Sequence, residues 1–282
     1  MQMATFFGEV LSVYSRAVEE DEEDDHENEE DQQIRSEIEE KRKVHVEWCS
    51  EVKNELATSA EKGLHCSDLV VAVGPNAAGF LSAYVLSSEI WSPVGSVSIW
   101  NERNPGSGAM LQSESSCVFY RQKDSPSVLI CQCTCYIAED QLFQWAESVF
   151  SCIEKRGLNV TVLSDCSLAE FKTTESMSST SPFLRALKTG LYRSQISCPL
   201  LEQPNIVTGL AAAVVSHCQV HQIPAVLYQS YSDVITPDSV TMETYKPAFL
   251  NLSRLIKLDA NPNADVLKKL IRISDPQSNM YT

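Results

Sequence analysis

No window of the chain reaches about 18 uninterrupted apolar residues, which excludes a membrane-spanning helix. The N-terminus, MQMATFFGEVLSVYSR, lacks a basic leading segment, and Glu9 interrupts its short apolar stretch, so no secretory signal is expected. Basic residues are few, 22 Lys and Arg against 38 Asp and Glu, and no basic stripe offsets the difference. A net anion repels phosphate, so nucleic acid is not an expected partner. The short cluster Lys41, Arg42 and Lys43 directly follows acidic residues and reads as a solvated patch. Catalytic signatures are missing too: there is no GxSxG elbow, no HExxH, and no cysteine in a signature context.

What is present suits a globular interior. Hydrophobic residues make up 43% and charged residues 21%, enough apolar material for a large core. The net charge of −16 is local in origin. Residues 19–31, EEDEEDDHENEED, hold eleven acidic residues and no Lys or Arg; without them the charge falls to −5. Charge repulsion and the lack of apolar residues leave this run nothing to offset the entropy of ordering, so residues 1–43 are expected to be a largely disordered tail. In a chain without a secretory signal, the ten cysteines read as reduced thiols behaving mostly as small hydrophobes.

From Val44 onward strand and helix patterns alternate. Val44, Val46 and Trp48 alternate with polar residues, and Asp68–Val73 is a β-rich run that ends at Gly74-Pro75-Asn76. A helix with Phe80, Leu81, Tyr84 and Val85 on its buried side follows, then a short strand over 97–100. Residues 102–116 are polar and read as a loop. Cys117–Tyr120 and Ser127–Ile137 read as two strands around a turn at Asp124-Ser125-Pro126. The spacing of Leu142, Ala146, Val149 and Ile153 predicts a helix over 139–156 that stops at Gly157. Asn159–Leu163 is the next strand, and the Ser/Thr-rich residues 167–182 read as a long exposed loop. Val207, Leu210, Val214 and Cys218 place a helix over 206–221; Ile223–Gln229 is a strand, and helical patterns fill 238–257 and 263–273. The fold class is therefore α/β: one domain over 44–274, a mixed β-sheet flanked by helices, followed by a flexible tail over 275–282.

Three constellations invite a chemical reading, and each has a plainer one. Gly74–Gly79 sits between a strand and a helix, where free N–H groups could hold phosphate. It matches neither GxGxxG nor a P-loop, and Pro75 removes a donor, so a tight βα turn is the plainer reading. Cys131, Cys133 and Cys135 recur at every second position. On one straight strand their Cα atoms stand about 7 Å apart, so they splay rather than converge, and buried core thiols are expected. His217 and His221 are four apart on a helix, without a third ligand in view, and read as structural histidines. No metal, no cofactor and no catalytic residue is therefore expected.

The C-terminus, Met280-Tyr281-Thr282, is a hydrophobic-Tyr-X ending, a pattern that arises by chance in about one chain in seventy at this composition. It does not stand alone. The stretches ATFFGEV (4–10), the acidic run after it, SPFLRALKT (181–189), CPLLEQPNIV (198–207) and QSNMYT (277–282) together resemble the vertebrate proteasome assembly chaperone 1 family, in order and over nearly the whole chain.

That resemblance implies a binding protein and no enzyme. Its members pair with proteasome assembly chaperone 2, and the heterodimer binds assembling α subunits of the 20S proteasome, promotes α-ring formation and prevents off-pathway α-ring dimers. In related chaperones and activators, hydrophobic-Tyr-X tails enter pockets between neighbouring α subunits, and the positions here are Met280, Tyr281 and Thr282. The expected location is cytoplasmic, with endoplasmic-reticulum association as a second expectation. Two rival classes remain: an α/β enzyme or nucleotide-binding protein, and an acidic-tail binder of basic proteins acting through residues 19–31.

Overall fold

The structure, a computed structural model, describes residues 29–59, 63–100, 117–173, 182–234, 236–250, 252 and 255–274. It divides into two units, residues 1–41 and residues 42–282. In the first, Glu29–Lys41 forms helix α1, and its residues 30–41 are all exposed. Residues 1–28 of the tail expected to be largely disordered lie outside the described residues, and its residues 29–41 are helical. The Glu, Gln, Arg and Lys residues of α1 are straight-chain residues of good helix propensity, so local preference suffices without apolar burial.

The second unit holds strands β1 (His45–Trp48), β2 (Asp68–Val73), β3 (Trp91–Ser98), β4 (Cys117–Gln122), β5 (Val128–Cys133), β6 (Asn159–Ser167), β7 (Phe183–Lys188) and β8 (Ala225–Ser232). They form one sheet in the order β1-β3-β4-β5-β2-β6-β8-β7. The inner strands β5, β2, β6 and β8 run parallel, and antiparallel pairs extend the sheet on both sides. The expected mixed α/β sheet is what forms.

The continuous apolar run of β2 follows from its place inside the sheet. Side chains alternate between the faces of a strand, yet Leu69, Val70, Val71 and Ala72 are all buried, because both faces are covered. Leu69 and Val71 join a core with Leu129, Val160, Val162 and Leu227 under helices α2 (Ser50–Thr58), α4 (Leu142–Ser151) and α5 (Gly209–Val220). Val70 and Ala72 face the opposite core, with Ile130, Leu163 and Tyr228 under helix α3 (Pro75–Tyr84), helix α6 (Ser239–Glu243), a 3-10 turn at Lys246–Leu250 and helix α7 (Ala264–Ser274). Phe80 anchors that second layer, with its ring 5.0 Å from Tyr84 and 5.2 Å from Phe249. Each such large side chain contributes about 1.5–3 kcal/mol by leaving water.

Several boundaries differ from the sequence pattern. The strand expected at 97–100 is Trp91–Ser98, shifted because β3 must pair along β1 and β4; its register breaks between Pro93 and Gly95. Gly95 is required there, since a Cβ would lie 2.5 Å from the Trp48 ring. The helix expected over 139–156 is a 3-10 turn at Glu139–Gln141 followed by α4, which stops at Ser151. Ile153 instead forms a bridge with Leu64, and Leu64 N–H donates to Cys152 O at 2.8 Å. The strand expected to reach Ile137 ends at Cys133, where both of its neighbours end in register, at Cys117 and Val73. The helix expected from Ile206 starts at Gly209, which has φ +66°. β7 was not anticipated. The loop expected over 102–116 lies outside the described residues, as does the stretch 174–181 of the one over 167–182, whose start holds a 3-10 turn at Leu168–Glu170.

Candidate functional site

The carboxyl-terminal ends of β2, β6 and β8 open onto a cleft of about 370 Å³. This is where open α/β sheets most often bind ligands, so it is the place to test the enzyme and nucleotide readings. β2 ends at Val73, and Gly74 takes φ +101° so that the chain can turn straight into α3 at Pro75. The first N–H groups of α3 face the cleft, but they are taken. Asn76 N–H donates to Asp165 Oδ2 at 2.6 Å, and Ala77 N–H donates to Asp165 Oδ1 at 3.1 Å. The Tyr245 hydroxyl donates to the same carboxylate at 2.6 Å and to Ser164 O at 2.7 Å. Asn76 Oδ1 in turn accepts from Asp238 N–H, and Asp238 caps α6 through Thr241 N–H.

Asp165 thus occupies the position a phosphate would take at this helix N-terminus. Among the described residues, the cleft lining adds Glu170 and no Lys, Arg or His, which further disfavours an anion. Burial pushes the Asp165 carboxyl up to about 6 against the lowering effect of its Tyr245, Asn76 and Ala77 donors. Those bonds tie β6, α3 and the segment after α6 together, so the geometry is that of a structural staple. The βα-turn reading of Gly74–Gly79 fits this arrangement.

The cysteines behave otherwise than a straight strand predicts. β5 ends at Cys133, and the antiparallel register sets Cys117 opposite it. Cys117 Sγ lies 2.7 Å from Cys133 Sγ and 3.4 Å from Cys135 Sγ, with 3.9 Å between Cys133 and Cys135. The three sulfurs converge where splaying was expected, and Cys131 is not among them. All ten cysteines of the chain carry free thiols.

His217 and His221 do share a helix face, their rings 4.1 Å apart, and Glu147 of α4 supplies a nearby carboxylate, 3.6 Å from His217 Nδ1. The Lys155 ammonium stands 3.3 Å from His221 Nδ1, which opposes a second cation at this spot. His217 stacks on Phe150 at 4.6 Å and is pushed down to about 4 by burial, with His221 and Lys155 adding to the effect and Glu147 opposing it. A structural histidine fits these contacts.

Met280, Tyr281 and Thr282 lie outside the described residues. What the structure does place is the helix that leads to them. α7 packs Val266, Leu267 and Leu270 onto the second core, and its approach is pinned to α3: Asp259 N–H donates to Tyr84 O at 2.8 Å, and Asn263 N–H to Ala83 O at 3.0 Å. The sequence pattern also gave no warning of the large apolar side chains left in water, among them Ile206, Val220, Phe143 and Leu250, each at least 65% exposed. Among the described residues, no helix is long and apolar enough to cross a membrane.

Solved structures share this arrangement of sheet and helices. A protein from Pyrococcus furiosus, PbaA, described as an archaeal homolog of proteasome-assembly chaperone, superposes with a TM-score of 0.54 at 11% identity, covering 82% of this chain and 88% of its own. PbaB of the same organism, described as an archaeal proteasome activator, gives a TM-score of 0.53 at 9% identity over 82% of this chain and 96% of its own. At such identities the likeness concerns the fold. Sequence carries the rest. The family model described as Proteasome assembly chaperone 4 matches residues 3–282. Proteasome assembly chaperone 1 of Danio rerio is 56% identical over 99% of this chain and 100% of its own length, and that of Homo sapiens 43% identical over 99% of each. The chain belongs to the proteasome assembly chaperone family, among relatives named proteasome assembly chaperone 1.

Proposed function

We propose that this chain acts as one half of a heterodimer with proteasome assembly chaperone 2 that promotes assembly of the 20S proteasome α-ring and prevents off-pathway α-ring dimers. It does so by binding and catalyses nothing. The observation that carries this reading is the match along the full length, tails included, to chains named for proteasome assembly. The capped helix at Asp165 supports it from the other side, since the cleft where an α/β enzyme would hold an anion is filled by the chain's own carboxylate.

In this reading the globular body rests on the α-ring surface and the tail enters a pocket between neighbouring α subunits. Met280 fills an adaptable apolar slot, the Tyr281 ring packs with its hydroxyl bonded, and the terminal carboxylate of Thr282 meets a cation. The place of work is the cytoplasm, with association at the endoplasmic reticulum.

The test is co-expression with proteasome assembly chaperone 2 and with proteasome α subunits. A one-to-one heterodimer by light scattering, which then retains α subunits on a column, is the expected result. A chain that stays alone in the presence of the partner, or a heterodimer that retains no α subunit, refutes the proposal.

A further inference from the structure

We propose that Cys117, Cys133 and Cys135 form a three-thiolate site for one soft divalent metal ion of the zinc class, with a fourth position open towards the surface. The three thiols are brought together by topology. Cys117 opens β4, Cys133 closes β5, and the antiparallel register sets them opposite each other. Because β5 stops at Cys133, the chain is released from the pleat, and Cys135 turns back towards the other two instead of standing about 7 Å further along. All three Sγ atoms fall within 3.9 Å of one another.

The chemistry of the set matches such an ion. Thiolates select zinc and similar soft ions over the hard cations that dominate the cell. Zinc holds sulfur at about 2.3 Å, which in a tetrahedral site spaces the sulfurs about 3.8 Å apart. The two distances from Cys135 already lie close to that spacing. Only the Cys117–Cys133 contact must open, by about 1 Å, a movement a small side-chain rotation supplies.

Burial is graded in a useful way. Cys117 and Cys133 are enclosed with Phe119 and Leu129 in the core, and Cys135 is half-buried at its margin. An ion can therefore enter past Cys135, and water or a further donor can complete the shell. Binding releases the protons of the thiols, and three thiolates with one divalent cation leave the site with one net negative charge.

The experiment uses the full chain, reduced, stripped with chelator and titrated with Co²⁺ and then Zn²⁺. One equivalent of Co²⁺ should produce thiolate-to-cobalt charge transfer and the visible bands of a tetrahedral ion, and Zn²⁺ should abolish both. Cys135→Ser should weaken Co²⁺ binding at least tenfold, and Cys198→Ser should leave it unchanged. Because Cys117 and Cys133 variants risk misfolding, the wild-type chain supplies a second readout: Zn²⁺ should slow alkylation of Cys135, followed by mass spectrometry. Absence of the bands at one equivalent overturns the proposal, as does their persistence in Cys135→Ser. A Cys117–Cys133 disulfide in protein isolated from reducing cells overturns it too, since the thiols would then be paired covalently.

Discussion

Asp165 accepts from two backbone N–H groups of α3 and from the Tyr245 hydroxyl, and its loss leaves both N–H groups without that partner. Asp165→Ala should therefore destabilise the chain by about 3 kcal/mol, from unpaired buried donors and the lost favourable charge at a helix N-terminus. Urea unfolding of both proteins measures it; a change below about 0.5 kcal/mol would mean that the carboxylate is not a staple. His217 makes a pH prediction. It is buried, and its pKa in the folded chain lies near 4, against an ordinary value of 6.5. A base whose folded pKa is depressed contributes stability that is present above pH 6.5 and is lost as pH falls towards 4. The groups facing it are Glu147, which opposes the shift, and His221 and Lys155, which add to it. Between pH 7 and pH 5 the wild type should lose about 1 kcal/mol more than His217→Gln, a figure discounted for the solvent reached by Glu147 and His221. Parallel losses in the two proteins would remove His217 from the account. Neither residue's environment is legible locally. Nothing near Asp165 in sequence marks it as the cap of a helix that begins ninety residues earlier. Likewise, Cys117 becomes a neighbour of Cys135 only through strand register.

At the scale of elements, legibility follows how locally an element's stability is determined. β2 and α3 were readable because burial on both faces writes itself as a continuous apolar run, and Gly74-Pro75 marks the turn between them. β7 was not. Its Arg185 and Lys188 suggest a solvated segment, yet Arg185 lies over the Phe183 ring at 4.7 Å and the Phe171 ring at 5.4 Å, which only the folded edge provides. α4 looked longer than it is because Ile153 continues the helical stripe, while its backbone is claimed by Leu64. The opposite case is α1, a helix with no described apolar burial. The boundary after it is sharp. Arg42 Nη2 donates to both carboxylate oxygens of Asp140, at 2.8 and 2.7 Å, and the Arg42 carbonyl accepts from Gln141 Nε2, so the second unit begins with its own anchors. Deleting residues 1–41 should leave a cooperative melt with Tm within a few degrees of the full chain. A broad or absent transition in the deletion variant would show that the first unit contributes to the fold.

For the whole molecule, the proposed function requires a body with few chemical features to select a ring of α subunits. Exposed apolar residues such as Ile206 and Phe143 supply contact area, but area alone does not set affinity. Anchors do, and the proposed function places them in the last three residues. Asp275–Thr282 is eight residues, which fully extended reach about 26 Å beyond α7. α7 is itself fixed to α3 through Asn263 and to the second core through Leu267, so the tail starts from a rigid base. Ordering an extended segment costs entropy, and a few well-placed groups must offset it. Tyr281→Ala should therefore weaken binding to α-ring intermediates by about 1–3 kcal/mol, the usual cost of removing an aromatic anchor. Adding one Gly after Thr282 should weaken it as well, because the carboxylate moves away from its cation while every side chain stays present. Heterodimer formation should not change in either variant, since both leave the sheet and its helices intact. The measurement is affinity for α-ring intermediates in the presence of proteasome assembly chaperone 2, wild type against both variants. Equal affinity in all three would move recognition to the globular surface, and loss of the heterodimer in either would place the tail in the partner interface.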